Sequence, residues 1–555
     1  MRRPLFRSAV AAAAALLACR GVDSSGAATI GGTLIIATGQ EADALLPPLI
    51  ETAAGRQAVD LLYMPIARLG DSLDILGDDG FEPALADRWT WSADSLALTF
   101  HLDRRARWSD GMPVRAEDVQ YSFGAYRAPG VSADAAPHLA NLDSVSVTDS
   151  ATFTVWYGRR SVTQFFDVAH YLIPFPSHVY APIAFDSLRT SAAARAPVGS
   201  GKYRLARWEP GVRLELVADT GHWASPATLH RVIWLPVPDP QAQVAKLVTG
   251  EADMVELLRG PALAQAAQDT SLQFLQRPSF DFAMALFNFR DPTNRALPHG
   301  LFADVRVRRA LSLAIDRDAL VRNVLDTLGL AMPSPLLSAY GIPGARIPAA
   351  DSAQAAALLD SAGWRDSDGD GVRERGGRRL AFRIIAPTTS AARVRASVIL
   401  QEAFRRVGAE ATLEHVEAAV HGANTSAGKF DLSIMGYSSG PSPAGLRQYW
   451  SSNQGGGSNF GRFEHPGFDA LVDSALSTVD GRHSRELLGR AADLLIAEAP
   501  AIWLYELRAI SGLHKRFQVT GVRADAWWAR LDAWRVNPER MLPRDRAGLQ
   551  GVPRD

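Results

Sequence analysis

The run Gly436-Tyr437-Ser438-Ser439-Gly440 has the G-x-S-x-G spacing of a nucleophile elbow, which needs a strand in front, a strained turn exposing the serine and a helix behind. Phe430 to Met435 supplies the strand, but Pro441 and Pro443 follow at once and predict an irregular loop. None of His465, His483 and His514 stands at a spacing that marks it as the base, so a secreted serine hydrolase using Ser438 remains an alternative without a triad. Asp366-Ser367-Asp368-Gly369-Asp370-Gly371 sets oxygens at alternate positions before a glycine, as an EF-hand loop begins. Position twelve of that loop falls on Gly377, and Glu374 could replace the missing acid only in a shorter loop. A solvated turn is expected there, with Asp366, Asp368 and Asp370 as the metal-ligand candidates. Gly199-Ser200-Gly201-Lys202 lacks the first glycine and the Ser/Thr of a phosphate loop and reads as a turn. With no His-Glu-x-x-His and no Cys-x-x-Cys there is no zinc signature, and neither a catalytic residue nor a cofactor is assigned.

These segments must be held by elements that alternate strand and helix. Gly32 to Ala37 reads as a buried strand, and Trp89 to Trp91 with Leu96 to Leu102 reads as two strands joined by a turn. Glu117 and Asp118 fall in the first turn of a helix, where acids favour the positive end of the dipole. The second half holds more helix: one capped by Asp304, one beginning at Asp351 or Ser352 and stopping at Gly363, and Val394 to Val407 stopping at Gly408. Strands at Leu380 to Ile385 and Phe430 to Met435 lie between them, which argues for α/β lobes.

The chain has 555 residues, 58 basic against 59 acidic, so it is too long for one compact domain and carries no global field for nucleic acid or an anionic membrane. Arg2, Arg3 and Arg7 precede a short apolar run, Ala9 to Ala18, that reads as a signal peptide over 1–18. The run ends in Leu16-Leu17-Ala18-Cys19, which resembles a bacterial lipobox. Cys19, the only cysteine, is the expected lipid attachment site, and 19–29 the tether.

Pro83 to Trp89, Phe100 to Asp103, Trp108-Ser109-Asp110-Gly111-Met112-Pro113 and Ala116 to Val119 together resemble the peptide/nickel-binding family of bacterial ABC-transporter solute-binding proteins. The resemblance continues in order through Pro197 to Tyr203, Leu247 to Asp253, Asp304 to Ala310, Ala314 to Arg317, Ala355 to Trp364, Phe430 to Leu432 and Ala499 to Ile502. It implies an α/β, two-lobe, type II periplasmic-binding-protein-like fold with an inserted third subdomain. Lobe I would take 30–58, 200–283 and 500–537, the inserted subdomain 59–199, lobe II 284–499, and 538–555 would be a tail. It also implies a small solute or peptide enclosed as the lobes close, membrane permease subunits as partners, and an extracytoplasmic place. A monomer is expected, in contact with the membrane only through its anchor.

The resemblance also locates a binding site. Peptide binders of this family carry Gly-Trp-x-x-Asp after the strand ending here at Met435, and that carboxylate holds the peptide ammonium. Gly440 occupies its place. Tyr437 keeps the aromatic, while Ser438 and Ser439 offer hydrogen bonds to a neutral ligand, so sugars, capped peptides and metal chelates stay open. Trp450, Asn459 and Tyr505 are further cleft candidates. Glu41, with Asp43 beside it, is the acid expected to take over if an ammonium binds.

Overall fold

The computed structural model describes residues 31–133, 135–452 and 457–546. Its backbone is a large mixed sheet running in spatial order Glu410–Val416, Ala381–Pro387, Leu432–Ser438, Leu272–Phe287, Ala501–His514, Met254–Val255, Thr33–Thr38, Arg231–Pro236, Arg213–Ala218 and Tyr203–Glu209. Leu272–Phe287 and Ala501–His514 are the long members, 16 and 14 residues, and run antiparallel through the middle. Their register breaks between Pro278 and Phe282, where Ser279 Oγ donates to the Leu507 carbonyl and accepts from Asp281 N. A bulge of this kind bends and twists a paired strand. On one side of it the pair carries Met254–Val255 and the Thr33–Thr38 strand, on the other Leu432–Ser438, so two lobes share two crossing strands.

The lobe carrying Leu432–Ser438 has its own core, in which Phe302, Leu311, Trp364, Leu400, Phe404 and Ile434 are buried. Its helices start where side-chain caps satisfy the first N–H groups: Asp304 for Val305–Leu313, Asp316 for Arg317–Val324, Asp351 for Ser352–Ser361 and Ser390 for Ala391–Arg406. Gly363 and Gly408 adopt φ of +83° and +81° after the last two, which an L side chain resists. Arg308 and Arg317 are buried and spend their guanidinium groups on main-chain carbonyls, of Phe302 and Glu498 and of Trp503, respectively. Burial lowers both pKa values to about 10.

A separate antiparallel sheet, Ala86–Trp91, Ala97–Leu102, Thr152–Tyr157 and Leu142–Asp149, packs against the other lobe. Trp89 and Trp91 both donate their indole N–H to Asp78, at 2.7 and 3.1 Å. Asp118 does more than favour a helix dipole. It is buried and accepts from Trp108 Nε1, Arg115 N and both donors of Ser177, tying the Trp108-Ser109-Asp110-Gly111 turn to the helix Ala116–Arg127.

The C-terminal segment expected to be a tail is, up to Arg546, part of the first lobe. Asp545 is fully buried, accepts from Thr33 N and Leu542 N, and pairs with Arg516. Among the described residues no helix is long and apolar enough to cross a membrane. Cys19, the signal segment and the tether lie outside the described residues.

Candidate functional site

A cavity of about 670 Å³ opens between helix Ala53–Leu62, the segment Tyr63–Leu69, the turn Ala169–Ile173 and the C-terminal loops around Arg523–Asp532. One wall is the helix Ala53–Leu62, capped by Thr52, whose hydroxyl accepts from Gly55 N; this helix brings Arg56 and Asp60 to the cavity. The strand Ala67–Leu69 contributes Arg68. A π-helical turn, Asp167–Tyr171, presents Ala169, His170 and Tyr171, and such turns are a recurrent device for aiming side chains at functional sites. Gly201, Lys202 and Tyr203 form the floor, while Arg523, Asp525, Trp528 and Asp532 come from the C-terminal loops. Pro441, beyond the end of Leu432–Ser438, is contributed by the opposite lobe.

The phosphate-loop-like turn is explained by close backbone approach. A Cβ on Gly199 would sit 1.9 Å from the Leu62 carbonyl oxygen, and one on Gly201 would sit 2.2 Å from that of Leu61. Ser200 Oγ accepts from Met64 N, so this turn fixes both ends of the segment that leads into Arg68.

Charge in the lining is arranged in pairs. Asp60 accepts from Arg56 at 2.9 Å and from Trp528 Nε1 at 2.9 Å. Asp525 takes two hydrogen bonds from Arg523, both 2.9 Å, and Asp532 pairs with Lys202 at 2.6 Å. Glu51, at the rim, pairs with Arg189 at 2.7 Å. His170 stacks on Phe166 and sits 3.2 Å from Arg56 Nη2; burial, reinforced by the Arg56 and Arg523 charges, holds its pKa well below the usual imidazole range. It is a neutral ring at pH 7. The Tyr203 hydroxyl is buried without a hydrogen-bond partner, and its pKa is pushed up by burial and by Asp532.

The residues expected from sequence lie elsewhere. Tyr437 stacks on Phe282 with ring centroids 5.3 Å apart and leans on Tyr449, and its hydroxyl is buried without a partner. Ser438 is exposed in the last position of its strand, opposite Asp281. Among the described residues no hydrogen bond joins Ser438 to a histidine; His421 and His415 bond to Ser433 and Ser397 instead. The residues after it form a loop, not the helix an elbow needs. Ser439 Oγ and the Gly440 carbonyl both bond the Tyr340 hydroxyl, at 3.0 and 3.2 Å. Trp450 is a core residue against Phe463 and Trp503, and Asn459 clamps the Phe463 main chain through both side-chain atoms; neither faces the cavity. Tyr505 is buried in the crossing strand, paired with Ala283 and Ala331. Glu41 is exposed and accepts from Gly211 N, while Asp43 is spent on Thr52 and Glu51 N. Of the expected loop, only its continuation at Pro441 reaches the cavity. The cavity residues that sequence reading missed had one signal, Lys202 and Tyr203 in the Pro197 to Tyr203 block.

Asp366, Asp368, Asp370 and Glu374 do converge, with ligand oxygens within 4.8 Å of one another. Their oxygens are engaged by the turn itself: Gly369 N and Gly371 N donate to Asp366, Asp370 N to Asp368, Ser367 to Glu374, and Arg379 pairs with Asp370.

The model of the bacterial extracellular solute-binding proteins, family 5 (Middle), matches residues 80–458. The oligopeptide-binding protein AppA of Bacillus subtilis is 23% identical over 501 residues, 87% of either chain. The nickel-binding periplasmic protein of Escherichia coli is 25% identical over 399 residues, covering 70% of this chain and 72% of that one. Among solved structures, HbpA2 from Haemophilus parasuis superposes with a TM-score of 0.75 at 22% identity, over 89% of this chain and 98% of the other. The fold is therefore that of the type II periplasmic binding proteins.

Proposed function

Because the chain belongs to family 5 of the bacterial extracellular solute-binding proteins, ABC-importer components that hand ligand to a permease, we propose that the 670 Å³ cavity holds a peptide or peptide-like solute. The volume falls within the roughly 300–1,000 Å³ of small-molecule sites. The observation that carries the reading is the approach of Pro441, from one lobe, to a cavity otherwise lined by residues 50–81, 133, 169–173, 201–203 and 523–532. Rotation about the crossing strands would draw the Tyr437–Gly440 segment over the opening, bringing the aromatic and serine side chains onto the solute. Binding without turnover suits the geometry at Ser438, and relatives named for oligopeptide and nickel binding fit a receptor whose ligand is set by cavity lining.

A free peptide ammonium finds no vacant carboxylate, since Asp60, Asp525 and Asp532 are paired and Gly440 offers none. Acetylating the amino terminus of a tripeptide should therefore change its affinity little. Gly440→Asp should favour the free-amine form by about 2 kcal/mol, the scale of a charge-assisted hydrogen bond, and a Cβ there meets no atom within 4 Å. Calorimetry on the acetylated and free forms decides; tight wild-type binding of the free amine that is lost on acetylation would overturn the reading.

The receptor is proposed to be lipid-anchored through Cys19 and otherwise monomeric. Cys19→Ser should move the protein from the sedimented membrane fraction into the supernatant. A wild-type protein found entirely in the supernatant would contradict the anchor.

A further inference from the structure

We infer that the cavity floor is a carboxylate subsite, in which Arg68 receives an acidic group of the solute; this rests on the proposed reading of the cavity and names the ligand chemistry within it. When the lining charges are paired off, Arg56 with Asp60, Arg523 with Asp525 and Lys202 with Asp532, Arg68 is the cation left over. Asp532 Oδ2 lies 4.0 Å away, and Lys202 already holds that oxygen at 2.6 Å; Glu82, opposite Arg68 in the strand pair, is held by Arg530 at 2.8 Å. No hydrogen bond to the Arg68 guanidinium is present among the described residues, so its five donors are unspent. The side chain is only 26% exposed, which limits how much water can serve them.

Two further donors belong to residues that line the cavity. The Tyr203 hydroxyl is buried, unpartnered and close enough to Asp532 to feel its charge. Lys202 spends one of its three donors on Asp532. Glu82 and Asp71 are held by Arg530 and Asp532 by Lys202, so the Arg68 guanidinium has no hydrogen-bonded carboxylate of its own, and an acidic group of the solute would supply one. A planar carboxylate also fits the guanidinium fork in two parallel hydrogen bonds, which an ammonium such as lysine cannot offer. His170, neutral on the other side of Arg56, adds no competing charge.

The test uses native mass spectrometry on the purified full chain with two matched libraries of amino-acetylated tripeptides, one with free carboxyl termini and one amidated. The acid library should bind and the amide library should not. Arg68→Gln should weaken the acids roughly 10- to 100-fold, the range of a charged hydrogen bond, and Arg68→Lys should restore only part, because it returns the charge without the fork. Melting curves on both variants show that the fold is kept; should Arg68→Gln fail to fold, the acid-against-amide comparison on the wild type and Arg68→Lys decides. Equal binding of acids and amides, or full retention of the acids by Arg68→Gln, would overturn the carboxylate subsite while leaving a receptor for peptide-like solutes standing. Failure of both libraries to bind the wild type would overturn the peptide-like solute as well.

Discussion

Replacing Arg516 by methionine should destabilise the first lobe by about 3–5 kcal/mol, the cost of removing one partner from a buried ion network. Arg516 is fully buried with Asp253 and Asp545, at 2.7 Å from the first, and donates to the Thr33 carbonyl at 2.9 Å. The same two acids accept Ile35 N and Thr33 N, so the network joins the first strand, the end of the long crossing strand and the C-terminal segment. Methionine keeps the volume but leaves Asp545 charged, dry and without a cation, while Asp253 retains Arg544 at 2.7 Å. A double variant should recover part of the loss. Arg516→Met with Asp545→Leu removes both charges, and an apolar pair is often no worse than the buried ions it replaces. Urea unfolding followed by tryptophan fluorescence should show a large shift for the single variant and a smaller one for the double. A shift under about 1 kcal/mol for Arg516→Met would mean that the network is not what holds these strands.

Ala529→Trp should abolish solute binding with little change in stability. Ala529 lines the cavity beside Trp528 and is half-buried, so an indole there would extend into the space proposed for the solute. Overfilling a packed core costs stability, but filling an open cavity costs occupancy instead. Calorimetry with the acetylated tripeptides should lose at least 100-fold in affinity, about 2.7 kcal/mol, with the melting temperature held. Unchanged binding would place the solute somewhere other than this cavity.

What could be read from the sequence was what depends on neighbours along the chain. Asp304 and Asp351 cap their helices because a short polar side chain reaches an N–H two or three residues on, and Gly363 and Gly408 follow theirs because their own φ is positive; the helix expected from Val394 starts three residues earlier, at Ala391, where Ser390 caps it. The strands around Trp89 and Phe100 showed in their alternation. Asp118 stands in the first turn of its helix, as its acidity predicts, but its further bonds to Trp108 and Ser177 leave no local spacing because those partners reach it only after folding. The cavity was hidden for the same reason. Lys202 and Asp532 lie 330 residues apart and Asp60 and Trp528 lie 468 apart, so neither pair leaves a spacing to recognise. The segment after Met435 stands out in the sequence through Gly436 to Gly440; in the fold Tyr437 packs on Phe282 of the crossing strand, and Pro441 is the residue of this loop that lines the cavity. Pro538 to Arg546 carries too few apolar residues to look like part of a core; it is held on the lobe by the buried Asp545 and by Arg544, which pairs with Asp253.

Closure of the two lobes over a solute is tested most directly by small-angle scattering on one preparation in two states. The protein is stripped by unfolding and refolding, measured, and measured again after the small-molecule fraction released by unfolding is restored, with occupancy read in parallel by native mass spectrometry. A smaller radius of gyration in the occupied state, with no chemical change in the restored molecule, is the predicted result. Identical scattering curves at full occupancy, or conversion of the molecule to a product, would contradict a receptor that works by closing.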